Sequence, residues 1–222
     1  MLASGIGLVA VGTTVPSVDL LLVLAIDVSR SISESDAVLQ RDGYRAAITD
    51  PRVMAAIQAG AIGAIGVAYV EWAAYERQEL LLPWTKIGNV DDAVAWAAAL
   101  TAKPYSSLPR TSLSGALRYS GTVLATAPFE GTRRVIDVSG DGVNNNGPPA
   151  EAERDRLVAE GAVINGLPIV NERPRYGMAS GAGLVPYYTS AVVGGAGHFV
   201  VVAESFDTFA AAIRRKLLQE IA

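Results

Sequence analysis

Leu20-Leu21-Leu22-Val23-Leu24-Ala25-Ile26-Asp27-Val28-Ser29-Arg30-Ser31 is the stretch on which the fold turns. The unbroken apolar run from Leu20 to Ile26 is far short of the roughly 18 to 20 residues that cross a bilayer. With no polar alternation, it reads as a strand covered on both faces, as in a parallel sheet flanked by helices. The chain then turns polar at once, with Asp27, Ser29 and Ser31 at alternate positions. Alternate residues leaving a strand point the same way, so one carboxylate and two hydroxyls converge just outside the sheet. A hard cation such as Mg²⁺ takes oxygen ligands near octahedral positions and keeps several waters, which this set suits. The competing reading of the three residues is a helix N-cap cluster in a strand-to-helix loop.

Outward from this stretch, apolar runs alternate with helical patterns, the signature of βαβ units and a mainly parallel sheet. The expected order is a strand over Val18–Asp27, a helix over Glu34–Thr49 capped by Ser33, and a short helix restarted by Pro51 and reaching Gly60. A second strand, Ala64–Trp72, is followed by an antiparallel edge partner, Gln78–Lys86, and an Ala-rich helix, Asp91–Ala102, capped by Asn89. The loop Lys103–Arg110 leads to a helix over Ser112–Ala127. Strand Arg134–Ser139, helix Pro149–Glu160 and strand Val163–Val170 come next. Asn171–Ala182, long and rich in Gly, Pro and Ser, is a candidate functional loop. A last strand, His198–Ala203, precedes an amphipathic helix, Ser205–Ile221, with Phe206, Phe209, Ile213 and Leu217 on one face. The class is α/β, a doubly wound sheet of six strands, mainly parallel with one antiparallel edge strand. No repeat or linker is evident, so residues 17–222 read as one domain. Residues 1–16 read as an N-terminal extension or the remnant of a secretory signal.

Composition narrows the function. The chain of 222 residues is half apolar and 18% charged, with a net charge of -4 and no clustered Lys and Arg, which argues against a nucleic-acid partner. It contains no cysteine and a single histidine, His198. Disulfides, thiolate zinc sites, cysteine nucleophiles and His-rich metal sites are thereby excluded. No apolar run is long enough for a membrane span. The first fifteen residues, apolar and uncharged, lead us to expect a periplasmic or secreted location, with a cytoplasmic one as the alternative.

Two further pieces complete a cation site. Arg110-Thr111-Ser112-Leu113-Ser114 puts a threonine just before a helix, and Val138-Ser139-Gly140-Asp141-Gly142 puts an aspartate at a strand's carboxyl end. Asp27 and Asp141 supply two negative charges against a divalent ion's two positive ones. Asp141 can also be read as an Asp-Gly turn residue, and Thr111 as a simple N-cap. Asp-x-Ser-x-Ser, a threonine before a helix and Asp-Gly after the fourth strand, in that order, resemble the metal-ion-dependent adhesion site (MIDAS) of von Willebrand factor A domains. The resemblance runs from about Val18 onward. The stretch from Val192-Val193-Gly194-Gly195 and His198-Phe199 to Leu217-Leu218 is also similar to an uncharacterised bacterial family of exported proteins related to those domains. The resemblance implies that Ser29, Ser31 and Thr111 contact the ion directly or through one water, with Asp27 and Asp141 close by. It implies strand order 3-2-1-4-5-6, which puts the ion at the topological switch point where open α/β sheets bind ligands. The implied function is a protein-binding, adhesion-type module whose Mg²⁺ (or Mn²⁺ or Ca²⁺) takes an Asp or Glu from a protein partner.

Other residues carry weaker signals. Asp137 interrupts an otherwise apolar strand, so it either pairs with a buried donor or sits near the ion. Asn144, Asn145 and Asn146 read as turn residues tolerating left-handed geometry, with a contact at the rim of the site as the alternative. His198, Trp72, Trp84, Trp96, Tyr187 and Tyr188 read as packing or hydrogen-bonded residues, with a surface role near the long loop as the alternative for Tyr187 and Tyr188. A metal-dependent hydrolase or phosphatase is the main rival, but haloacid-dehalogenase-type enzymes need Asp-x-Asp, and position 29 is serine. Gly5-Ile6-Gly7-Leu8-Val9-Ala10 mimics a dinucleotide fingerprint, yet it precedes the first strand. A scaffold subunit with a dispensable ion is the third reading.

Overall fold

The computed structural model describes residues 15–105, 107–170 and 183–222. The opening stretch up to residue 14, with its fingerprint mimic, and the loop Asn171–Ala182 lie outside the described residues. The chain runs β1 (Ser17–Asp27), α1 (Glu34–Ile48), α2 (Pro51–Gln58), β2 (Ile65–Trp72), β3 (Gln78–Ile87), α3 (Val90–Thr101), α4 (Leu113–Ala125), β4 (Glu130–Gly140), α5 (Ala150–Ala159), β5 (Val163–Pro168), α6 (Leu184–Tyr187), a π-helical turn (Tyr188–Val192) and α7 (Phe209–Ile221).

The strands form one sheet in the order β3-β2-β1-β4-β5. β1 is parallel to β2 and β4, and β5 to β4. β3 is the antiparallel edge; it carries Pro83, and its pairing with β2 shifts register on both sides of Tyr69. β1 shows why the sheet is covered on both faces. Leu20, Leu22, Leu24 and Ile26 pack with Tyr44, Trp96, Phe209, Ile213 and Leu217 of α1, α3 and α7. Leu21, Val23 and Ala25, one residue out of step, pack with Leu113, Leu117, Leu157 and Tyr188 on the other side. Helix starts follow cap chemistry. Ser33 and Asp36 form a reciprocal capping box on α1, Asp50 caps α2 ahead of Pro51, and Asn89 caps α3.

Among the described residues the sheet has five strands, where six were expected. The chain from Phe199 to Ala203 does run parallel beside β5, through isolated bridges Gly166–Val200 and Ile169–Ala203. Gly166 N–H donates to Phe199 O (3.1 Å), Val201 N–H to Gly166 O (3.0 Å) and Ala203 N–H to Pro168 O (3.0 Å). The donor that would join the two bridges is the amide of residue 168, and proline has none. α7 also starts later than expected. Ser205 and Thr208 exchange side-chain-to-backbone hydrogen bonds, Ser205 N–H to Thr208 Oγ1 (3.1 Å) and Thr208 N–H to Ser205 Oγ (3.3 Å), a local alternative to the helical ladder.

Asp137 pairs with a buried donor. Its carboxylate lies 2.7 Å from Lys216 Nζ, both side chains being fully buried, and Lys216 also pairs with Glu220 one turn further along α7. Asn165 Nδ2 donates to Glu220 (3.3 Å), and the Lys216 ammonium lies 5.2 Å from the centre of the Phe199 ring. Burial first, then the Asp137 charge, pushes the Glu220 carboxyl up to about 7, against the pull of Lys216. Two carboxylates thus share one ammonium in the core, and burial raises both of them above their ordinary values. Of the aromatic residues, Trp72, Trp96 and Tyr188 are buried, Trp84 Nε1 donates to Val123 O (3.1 Å), and His198, though exposed, has Nδ1 2.7 Å from Gly195 O.

Candidate metal centre

β1 and β4 are parallel neighbours with Ile26 opposite Ser139, so their carboxyl ends deliver Asp27 and Asp141 to one rim of the sheet. Asp27 Oδ1 accepts from Ser29 N–H (2.7 Å), which folds the Asp-x-Ser-x-Ser turn back on its first residue. Ser29 and Ser31 share a hydrogen bond between hydroxyls (3.0 Å), and Ser31 Oγ donates to Asp141 Oδ1 (2.6 Å). Thr111 Oγ1 donates to Ser29 Oγ (3.3 Å) from the third loop. All five residues singled out in the sequence are thus joined in one hydrogen-bonded string. Asp27, Ser29, Ser31 and Thr111 are buried, and Asp141 is partly exposed at the mouth.

The loop before α4 is held in place from two sides. Arg41, paired with Glu71 (2.7 Å), donates to Lys103 O (2.6 Å) and Pro104 O (3.0 Å). Tyr105 O–H donates to Ile32 O (3.0 Å), and Leu108 N–H to Val28 O (3.3 Å). Arg110 takes a left-handed φ of 72°, alone among the described non-glycine residues; that strain persists because the flanking bonds fix the chain. Ser112 caps α4 by accepting from Gly115 N–H (3.1 Å).

Of the two readings of the asparagines after Asp141, the structure favours the contact at the rim. None has a positive φ, so left-handed tolerance is not their role. Asn145 Oδ1 accepts from Thr111 N–H (2.9 Å), and Asn145 N–H donates to Thr111 O (2.9 Å). Asn144 Oδ1 accepts from Ser114 N–H (3.2 Å), and Asn146 Oδ1 from Tyr75 N–H (2.8 Å). The run stitches the Asp141 loop to the Thr111 loop. Removing the Asn145 amide would leave the buried Thr111 N–H without an acceptor, a penalty of about 1–3 kcal/mol. Asn145→Ala is expected to lower the urea midpoint accordingly, with the slope unchanged; an unmoved midpoint would show that the stitch contributes nothing.

The electrostatics ask for a cation. Burial, then the neighbouring Asp141 charge, pushes the Asp27 carboxyl well above the ordinary carboxylate range, and hydrogen bonds from Ser29 and from the Asp141 backbone only partly offset this. Among the described residues Asp27 Oδ2 is buried without a hydrogen-bond partner, whereas buried polar atoms are nearly always paired. A positive charge at this point would relieve both penalties. Among the described residues no three His, Cys, Asp or Glu side chains converge on a point. The donor set here is three hydroxyls and two carboxylates, all hard oxygens, which fits a hard divalent ion.

Solved structures share this architecture. Proximal thread matrix protein 1 from the mussel byssus, in a structure with a zinc-occupied MIDAS motif, is 17% identical with a TM-score of 0.62, over 93% of this chain and 47% of that one. A von Willebrand factor type A structure from Catenulispora acidiphila is 13% identical with a TM-score of 0.60, over 92% and 43%. The pilus adhesin SpaC of Lactobacillus rhamnosus GG is 15% identical with a TM-score of 0.63, over 94% and 31%. The chain spans less than half the length of each, and at such identities the likeness is one of fold. Comparison with curated proteins gives no match. Residues 17–222 match a family described as "Protein of unknown function (DUF1194)".

Proposed function

The chain belongs to the DUF1194 family and has a von Willebrand factor A-type fold, and from that premise we propose that it is a divalent-metal-dependent protein-binding module. Ser29, Ser31 and Thr111 would hold the ion directly or through one water, with Asp27 and Asp141 balancing its charge from close by. Bound there, the ion supplies a Lewis acid that takes a carboxylate from an Asp or Glu of a partner protein. With hydroxyls as its nearest protein ligands the ion would keep its electrophilicity, which two direct carboxylates would blunt. The observation that carries the reading is a run of hydrogen bonds, 2.6 to 3.3 Å long, that joins Thr111, Ser29, Ser31 and Asp141 through their side chains and Asp27 through the Ser29 N–H, beside a buried Asp27 oxygen that has no hydrogen-bond partner among the described residues. Support comes also from a zinc-occupied MIDAS in one structural neighbour and adhesin status in another.

Calorimetric titration with Mg²⁺, Mn²⁺ and Ca²⁺ tests the first half of the reading. We expect saturation at one ion per chain for at least one of them. Immobilised protein should then retain a Glu-bearing partner from its native cell extract, lose it to a chelator and regain it with the ion. Absence of binding heat with all three ions would end the proposal.

A further inference from the structure

Tyr188 is a fully buried residue of the π-helical turn, far along the chain from the metal-site motifs, and its hydroxyl has no hydrogen-bond partner among the described residues. Its ring occupies a slot made by two glycines on neighbouring strands. A methyl group at Gly166 of β5 would sit 2.8 Å from the ring's Cδ1, and one at Gly140 of β4 would sit 3.0 Å from its hydroxyl. That same point beside Gly140 lies 2.8 Å from Asp27 Oδ2, the other unpartnered buried oxygen of this region. Two orphaned polar atoms therefore face one small space that any side chain at position 140 would fill. Packing alone does not account for the hydroxyl, because phenylalanine would fill the slot without burying an unsatisfied group, which costs about 1–3 kcal/mol.

We propose that Tyr188 is a positioning residue of the metal centre. Its O–H serves Asp27 Oδ2 across the space beside Gly140, through one bridging water or a short closing of the gap. Asp27 is thereby fixed in orientation with Oδ1 on Ser29 N–H and Oδ2 on Tyr188. The inference rests on the metal-binding reading above. Partners that orient the groups around a metal are typically worth 10- to 100-fold in metal affinity.

The test compares wild type with Tyr188→Phe and Gly140→Ala by calorimetric Mn²⁺ titration and by metal-free melting. We expect Tyr188→Phe to weaken Mn²⁺ binding by about tenfold or more while its metal-free melting temperature holds or rises. Gly140→Ala, which fills the shared space, should weaken Mn²⁺ binding in the same direction. Mn²⁺ binding by Tyr188→Phe within about twofold of wild type overturns the positioning role alone. A parallel fall in affinity and metal-free stability in Tyr188→Phe overturns it too, since that pairing marks a packing defect. Failure of the wild type itself to bind Mn²⁺ removes the metal centre and, with it, this role.

Discussion

Asp27→Asn is expected to abolish the calorimetric response to metal and the retention of a carboxylate partner, yet to melt no lower than the parent chain when metal is absent. The asparagine keeps an oxygen to accept from Ser29 N–H, so the turn after β1 survives. What it removes is a buried charge whose second oxygen has no partner. The pH dependence has a definite sign. Asp27 has a folded pKa raised well above its ordinary 3.8 by burial and by Asp141. Below 3.8 both folded and unfolded chains hold the proton. As pH rises past that value the unfolded chain releases it first, so stability falls until the folded carboxyl has titrated too. Without metal, the parent should therefore lose stability relative to Asp27→Asn as pH rises through this window. With metal the order reverses: an ion at 100 times its dissociation constant adds about 2.7 kcal/mol to the parent and nothing to the variant. Equal metal heats for parent and variant would remove Asp27 from the site.

Lys216→Met should be the most damaging single change in the core. Lys216 is fully buried between Asp137 and Glu220, themselves buried. Deleting the ammonium while keeping its length leaves two carboxyls in an apolar interior. Breaking a buried pair in this way costs about 3–5 kcal/mol, a large share of the roughly 5–15 kcal/mol that holds a domain folded. Replacing the set together, as Asp137→Leu, Lys216→Met and Glu220→Leu, should recover much of the loss, because apolar substitutes of similar size often match a buried ion cluster. Urea unfolding of the single and triple variants decides the matter; a single variant within about 1 kcal/mol of the parent would show that the ammonium does not sustain the cluster. Glu220, pushed up to about 7 from an ordinary 4.5, has the same sign as Asp27. It weakens the fold as pH rises from 4.5 towards 7, and Glu220→Gln should flatten that slope.

Much of this molecule was legible from local pattern. The unbroken run in β1 announced a two-sided sheet, and the spacing of Asp27, Ser29 and Ser31 announced convergent oxygens, because strand periodicity and cation chemistry are both short-range rules. The sixth strand failed on one atom. Val163–Val170 was read as continuous, although Pro168 within it cannot donate to a neighbour. The start of α7 failed because Ser205 and Thr208 satisfy each other's backbone. What no local pattern encodes is a side chain bonded to a distant backbone. Asn145 meets Thr111, Lys216 meets Asp137 and Tyr188 comes near Asp27 only after the sheet has assembled, so the pattern leaves the asparagine run open between a turn and a rim contact, and gives Tyr188 only a packing role or a surface one. The charge at Asp137, out of place in an apolar strand, did signal that a partner existed, though not which.

The two borders of the sheet bear on how copies of this chain behave when crowded together. An exposed strand edge is a template for adding another chain, and runaway addition leads to fibres. On one border β3 has a proline and a broken register; on the other, the stretch from Phe199 to Ala203 lies across β5. Among the described residues neither β3 nor β5 presents an uninterrupted row of amides and carbonyls to a stranger. Sideways growth is discouraged at both margins of the sheet.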